Sequence, residues 1–210
     1  RQALVKAIDA AYACEKARAC GVLSLDTEFV WRCTYRPQLG IVQMGTPADC
    51  WALDCLTGMD VAALKSLIED ESVVKILHDA RQDLTHLHHY TGAAPRNVFD
   101  TQLAAAFAGF PGGIGLQKLL FEACDVGLPK TETCTDWTQR PLSEAQVKYA
   151  LDDVRYLPAL RDELLKRMDE FGTRAWFEED ARRYDDGGLY ADYDPENLWL
   201  RIKLRRTRLD

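Results

Sequence analysis

The sequence predicts an α/β fold, a mixed sheet of antiparallel and parallel strands flanked by helices, and three observations predict it. The apolar run "VLSLDTEF" (22–29) is followed by two more short strand-like runs, "QLGIVQM" (38–44) and "DCWALD" (49–54). Only the turn residues Gly45, Thr46, Pro47 and Ala48 divide those two, and a connection that short joins antiparallel neighbours. Farther along, helical and strand patterns alternate, which calls for parallel crossover units.

The elements follow in order. Leu4, Ile8 and Tyr12 recur at four-residue spacing and predict an opening helix over 2–19, stopped by Gly21. After the three strands, "MDVAALKSLIED" (59–70) is helical, with Val61, Leu64 and Ile68 on one face. A strand over 73–78, a helix over 80–90 and a short strand over 97–100 come next. Helices are predicted over 101–110, 115–125 and from 143 to about 170. Ser143, with Gln146 three residues on, forms a capping box at the start of the last helix. Pro158 should kink or break that helix near Tyr156. Composition shifts at Phe171–Gly172, dividing the chain into a domain over 1–170 and a C-terminal extension over 171–210. An antiparallel meander feeding parallel units is the plan of ribonuclease-H-like folds.

The 210 residues suit one substantial domain with a small appendage, and 47% hydrophobic with 28% charged residues reads as soluble and globular. No stretch approaches the roughly 20 unbroken apolar residues of a membrane helix, so no membrane partner is expected. No secretory leader is visible. The chain starts at Arg1 without a Met, which a removed presequence would explain. The expected compartment is the cytoplasm, or an organelle matrix if such a presequence was removed. The seven cysteines are scattered, odd in number and without a C-x-x-C pair, the pattern of free thiols in a reducing compartment. A zinc site with His86, His88 and His89 lacks ligand spacing, and the "HLHH" stretch reads as a helix surface. A net charge of −7 is unlike a typical nucleic-acid binder, but a site that holds divalent cations must itself be acidic. The charge is also uneven: "RIKLRRTRLD" (201–210) carries five basic residues against one acid.

Asp26 and Glu28 lie two apart on a strand, so their carboxylates share one face. Two neighbouring negative charges repel, and burial adds to the cost, so a bound cation is implied. In "HDARQDL", Asp79 with Gln82 three residues on reads as a helix N-cap, whereas Asp83 lies one turn inside and has no capping task. Asp100 reads as the cap of the helix beginning at Thr101. Tyr149 and Asp153 are four apart and project from one helix face, off the apolar stripe of Val147, Ala150, Leu151, Val154 and Leu157. Periodicity leaves open whether they face a cleft or solvent, and does not choose firmly between Asp152 and Asp153.

The segments "DTEFVWRCTYRPQLGIVQMG", "LHDARQDL", "FDTQLAAAF" and "TDWTQRPLSEAQVKYALDDVRYL" resemble, in order and spacing, the ribonuclease D family. That family lies in the tyrosine subclass of the DEDD 3′–5′ exonucleases, and the resemblance covers roughly residues 21 to 160. It implies that Asp26 and Glu28 form the first motif, D-x-E. Asp83 rather than Asp79 supplies the second, and Tyr149 with Asp153 forms the third, Y-x-x-x-D. The histidine subclass does not fit, since positions 148 and 149 are Lys and Tyr. By the same resemblance Asp26, Glu28 and Asp153 hold one divalent ion, Mg²⁺ or Mn²⁺, and Asp26 bridges to a second served by Asp83. Tyr149 orients the attacking water.

The implied activity is removal of 5′-mononucleotides from RNA with a free 3′ hydroxyl end, in tRNA or other structured RNA processing, with no small-molecule cofactor. A DNA exonuclease of the same superfamily and an inactive RNA-binding scaffold are the alternatives. Phe29, Trp137 and Arg140 are candidate strand contacts; the first could equally be a core aromatic and the others loop anchors. Trp31, Arg32, Arg36 and Arg81 are weaker candidates. Family members commonly continue into helical nucleic-acid-binding domains shared with helicases. Too few residues follow Gly172 for one, which predicts either a short-form or a truncated enzyme, with weaker substrate grip and a whole metal site.

Overall fold

The computed structural model describes residues 10–32, 34, 36–128 and 135–191. Leu4, Ile8, Cys33, Cys134 and the basic stretch 201–210 lie outside the described residues.

Helix α1 (Ala10–Cys20) precedes a meander of β1 (Val22–Val30), β2 (Gln38–Gly45) and β3 (Cys50–Asp54). Then α2 (Val61–Ile68), β4 (Val74–Leu77), α3 (Arg81–Thr91) and β5 (Val98–Asp100) alternate. Helices α4 (Thr101–Phe107), α5 (Leu116–Cys124), α6 (Glu144–Arg155), α7 (Leu157–Phe171) and α8 (Arg174–Ala181) complete the described fold, with 3₁₀ turns at Arg182–Asp185 and Gly187–Tyr190. The sheet order is β3-β2-β1-β4-β5, antiparallel through β1, β2 and β3 and parallel through β1, β4 and β5. This is the expected mixed sheet. The capping box forms at Ser143 and Gln146, and the helical run does break at Tyr156 ahead of Pro158.

The pleat of β1 sorts its side chains. Leu23 and Leu25 enter a core shared with α1, α2 and α3, where each buried leucine contributes about 1.5–3 kcal/mol. On the other face Ile76 meets α7, while Ile41 and Ala52 meet α6. The face of α1 that packs inward is small, Ala10, Ala13, Cys14 and Ala17, so Tyr12 stands outside at 49% exposure, contrary to the expected apolar stripe. Gly45 lets α6 lie close on the sheet: a Cβ there would stand 3.0 Å from the Val154 carbonyl oxygen. That close approach brings the last turn of α6 over β1.

The packed unit continues beyond the compositional boundary at Phe171–Gly172. Phe177 fills the α7 core, and Tyr184 and Tyr190 enter the α1–α3 core. The backbone N–H of Asn97 donates to Asp185 Oδ1 at 3.0 Å. Gly172 ends α7 as a left-handed C-cap with φ 69°.

Asp100 caps α4 as expected, accepting from the N–H groups of Gln102 and Leu103. It also accepts from the N–H groups of Asp79 and Ala80 and from the Tyr184 hydroxyl. Asp79 is therefore not the N-cap of α3: it sits at φ 58°, and no side chain caps that helix. A buried acid from the neighbouring strand has taken over the entry turn. Asp79 is left exposed in the left-handed region that Asp and Asn tolerate.

Candidate active site

The site forms where the strand partners of β1 diverge. Parallel pairing with β4 covers only Val22 to Ser24, while antiparallel pairing with β2 runs on to Val30. Beyond Ser24 one flank of β1 is therefore open, at the carboxyl ends of the parallel strands. Such switch points are where open α/β sheets place ligands. A register shift between Glu28 and Phe29 bends the strand as it leaves.

Asp26 and Glu28 share the face covered by α6, and Asp153 reaches down from that helix. One carboxylate oxygen from each of the three lies within 4.8 Å of the others. Asp83 arrives at the open flank of β1 from the first turn of α3, a helix packed on the other face of the sheet. Its Oδ1 accepts a 2.5 Å hydrogen bond from the hydroxyl of Thr27, the residue between the two β1 acids. It stands outside the tight trio yet near enough for its charge to act on all three. Tyr149, one turn before Asp153 on the same helix face, lies close enough for its hydroxyl and that carboxylate to act on each other. Asp152 instead faces Lys148 at 2.5 Å and Arg155 at 3.7 Å on the outer side, which separates the two adjacent acids cleanly.

Burial and mutual repulsion set the electrostatics. Asp26 is raised well above the usual carboxylate range, first by loss of water and then by Asp83, Asp153 and Glu28. Burial, with Asp153 and Asp83 adding, pushes Glu28 up to about 8. Asp153 rises to about 7, mainly through burial, although the Tyr149 hydroxyl pulls the other way. Asp83 rises to about 6, again mainly through burial, with the Thr27 hydrogen bond opposing. The phenol of Tyr149 is raised above its ordinary value by burial and by the charges of Asp153, Glu28 and Asp26. A cluster of carboxylates that holds protons near neutrality is one that a divalent cation can relieve, and its hard oxygen donors suit Mg²⁺ or Mn²⁺.

Two participants escaped the sequence analysis. Gln43, fully buried on β2, is the register partner of Asp26, and its Nε2 lies 3.5 Å from Asp26 Oδ2. Thr27 ties Asp83 to β1. Neither follows a motif; both depend on strand register and on which element crosses the open flank.

The candidate strand contacts divide. Phe29 is half-buried, with its ring 4.1 Å from that of His86 in an edge-on arrangement. His86 is itself buried, so "HLHH" is not simply a helix surface. His88 Nδ1 pairs with the Ala93 carbonyl at 2.7 Å, and the three histidines form no ligand set among the described residues. Trp137 is buried and Arg140 is bound to Asp54, which gives both the anchoring role left open by the sequence. Trp31 is exposed at 61% just past β1, and Arg32 pairs with Asp136. Arg36 and Arg81 are exposed.

A family model described as 3′–5′ exonuclease matches residues 3–169. A curated relative, ribonuclease D of Desulfotalea psychrophila, is 41% identical over 189 residues, covering 90% of this chain and 50% of the relative. The chain thus spans about half the length of the curated relatives it matches. Among solved structures, Escherichia coli RNase D, described as an exoribonuclease involved in structured RNA processing, superposes with a TM-score of 0.87. It is 33% identical and covers 96% of this chain and 54% of its own. Brucella melitensis NrnC with bound Mg²⁺ gives a TM-score of 0.73 at 26% identity, covering 85% of this chain and 91% of its own.

Proposed function

The chain belongs to the 3′–5′ exonuclease family, and from that premise we propose that it shortens RNA from a free 3′ hydroxyl end, releasing 5′-mononucleotides. Structured RNA tails, those of tRNA precursors among them, are the proposed substrates. The observation that carries this reading is the convergence of Asp26, Glu28 and Asp153 within 4.8 Å, with Asp83 tied to Thr27 between the two β1 acids.

Asp26, Glu28 and Asp153 would hold one divalent ion and Asp83 with Asp26 a second. Asp26 is the natural shared ligand, because it is the acid on which all three others act. Bound there, Mg²⁺ or Mn²⁺ would acidify a water and neutralise charge at the scissile phosphate. The chain's own groups do the rest. Tyr149 keeps its proton at neutral pH, because a phenol ordinarily titrates at about 10, so its first role is to orient as a hydrogen-bond donor. Gln43 steadies Asp26 from β2, and Thr27 steadies Asp83 from β1. The likeness to a protein described as an exoribonuclease and to one solved with Mg²⁺ supports both halves of the proposal.

Digestion of 5′-labelled RNA with Mn²⁺ tests it. The expected result is a ladder shrinking one nucleotide at a time from the 3′ end, with 5′-mononucleotides released and no cleavage in EDTA. RNA bound but uncut in Mn²⁺ would point to a scaffold, and faster loss of matched DNA would point to a DNA exonuclease.

A further inference from the structure

We infer that Trp137 is a positioning residue for Tyr149, held against it by a clamp that Arg140 closes between the 135–142 loop and the sheet. The inference rests on the role proposed above for the Tyr149 hydroxyl.

Tyr149 must place that hydroxyl among the acids while its ring lies in an apolar setting with Val147, Ala150 and Leu151. Backbone geometry fixes only where the side chain leaves the helix, and rotation of the ring has to be limited by neighbours. The indole of Trp137 is one such neighbour, its centroid 6.1 Å from the phenol ring and tilted by 35°. Trp137 is 3% exposed, so it is spent on packing rather than on solvent or strand.

Trp137 itself has nowhere to retreat. Gly40 of β2 lies directly behind it: a Cβ at that position would stand 2.5 Å from the Trp137 carbonyl oxygen and 2.9 Å from its Cβ. Arg140 locks the contact from the other end of the loop. Its Nε and Nη2 donate to the two carboxylate oxygens of Asp54 at 2.7 and 2.8 Å, the forked pairing that only a guanidinium makes. The same side chain donates to the carbonyls of Trp137 at 2.9 Å and Gly40 at 3.0 Å. Asp54 ends β3 at the far edge of the sheet. A loop outside the acidic cluster is thereby fastened to two strands, and the indole it carries sets the ring that presents the hydroxyl. Gly40, Arg140 and Asp54 then have a catalytic consequence without touching a metal or a substrate.

Kinetics and tyrosine NMR on the full chain test this. Trp137→Leu and Gly40→Ala should each lower kcat about 10–100-fold, with KM and Mn²⁺ affinity little changed, as expected when a reacting group is misplaced by an ångström. Trp137→Phe should restore most of the rate. In a Tyr149→Phe background the same two changes should cost less than about threefold, because the hydroxyl they position is gone. The ring resonances of ¹³C-labelled Tyr149 should shift in Trp137→Leu. Equal losses in both backgrounds, or unshifted Tyr149 resonances, would overturn the inference. A wild-type chain that cuts neither RNA nor DNA would remove the functional reading instead, and the resonances of Tyr149 would still decide the clamp.

Discussion

Replacing Asp26 by Asn should abolish turnover, with a loss of about 10³-fold or more, and yet make the metal-free protein harder to melt. Both effects have one cause. Asp26 is hemmed in by protein, and the charges of Asp83, Asp153 and Glu28 all act on it. As the proposed shared ligand, its loss would weaken both proposed ion sites, which no other single substitution would do. In the absence of metal the same carboxylate is a liability, because its ionised form is both desolvated and repelled. Asn keeps the shape and the neighbour Gln43 while removing that charge. Each kcal/mol of repulsion relieved should raise Tm by about 2–4 °C for a domain of this size. Thermal unfolding in EDTA near pH 8, run beside RNA digestion in Mn²⁺, checks the pair. A dead variant that is also less stable in EDTA would mean that Asp26 holds the fold together and that repulsion is not the governing term.

The second large effect is the pH dependence of metal-free stability. Glu28 has its pKa raised from 4.5 to about 8, Asp153 from 3.8 to about 7 and Asp83 from 3.8 to about 6. A raised pKa means that the folded state keeps protons the unfolded chain has already released. Stability from these groups is therefore greatest below the unfolded values near 4 and is lost as pH climbs through 6, 7 and 8. Other groups run the opposite way. His86, lowered to about 4, and His78, also lowered, gain stability as pH rises to the ordinary imidazole value of 6.5. Lys75, lowered to about 8, adds a gain at higher pH. The window from about pH 6.5 to 8 thus belongs to the acids.

Across that window Tm in EDTA should fall, with Glu28 alone accounting for about 2 kcal/mol or roughly 4–8 °C. Saturating Mg²⁺ or Mn²⁺ should flatten or reverse the slope, since binding requires the deprotonated ligands. The same linkage predicts release of roughly one or two protons per protein on metal binding near pH 7, measurable by calorimetry in buffers of different ionisation enthalpy. A flat EDTA profile in this window, or metal binding without proton release, would show that the acids are well solvated.

The parts of this site that obey a local period were legible in the sequence. Asp26 and Glu28 share a face because strand side chains alternate, and Tyr149 and Asp153 share one because a helix repeats every 3.6 residues. Where a choice depended on what lies opposite, periodicity failed. Asp152 and Asp153 differ by their partners, Lys148 and Arg155 on one side and the acidic cluster on the other. Family resemblance supplied that choice, and the structure gives its physical content.

Asp79 shows the limit more sharply. Its spacing to Gln82 is a sound capping pattern, but Asp100, from the neighbouring strand, accepts the N–H groups of the α3 entry turn instead. Local patterns are blind to such distant competitors. Gln43 and Thr27 were invisible for the same reason, since one needs the β1–β2 register and the other the path of α3 past an open strand flank. The segment 174–190 gave only a composition shift, because its few anchors, Phe177, Tyr184 and Tyr190, are too widely spaced to form a stripe.

Anomalous diffraction from crystals saturated with Mn²⁺ addresses the central claim most directly. The expected result is two peaks in this cleft about 4 Å apart, both beside Asp26, one also met by Glu28 and Asp153 and the other by Asp83. Manganese absent from the cleft at saturation, with the four carboxylates turned toward separate partners, would contradict it.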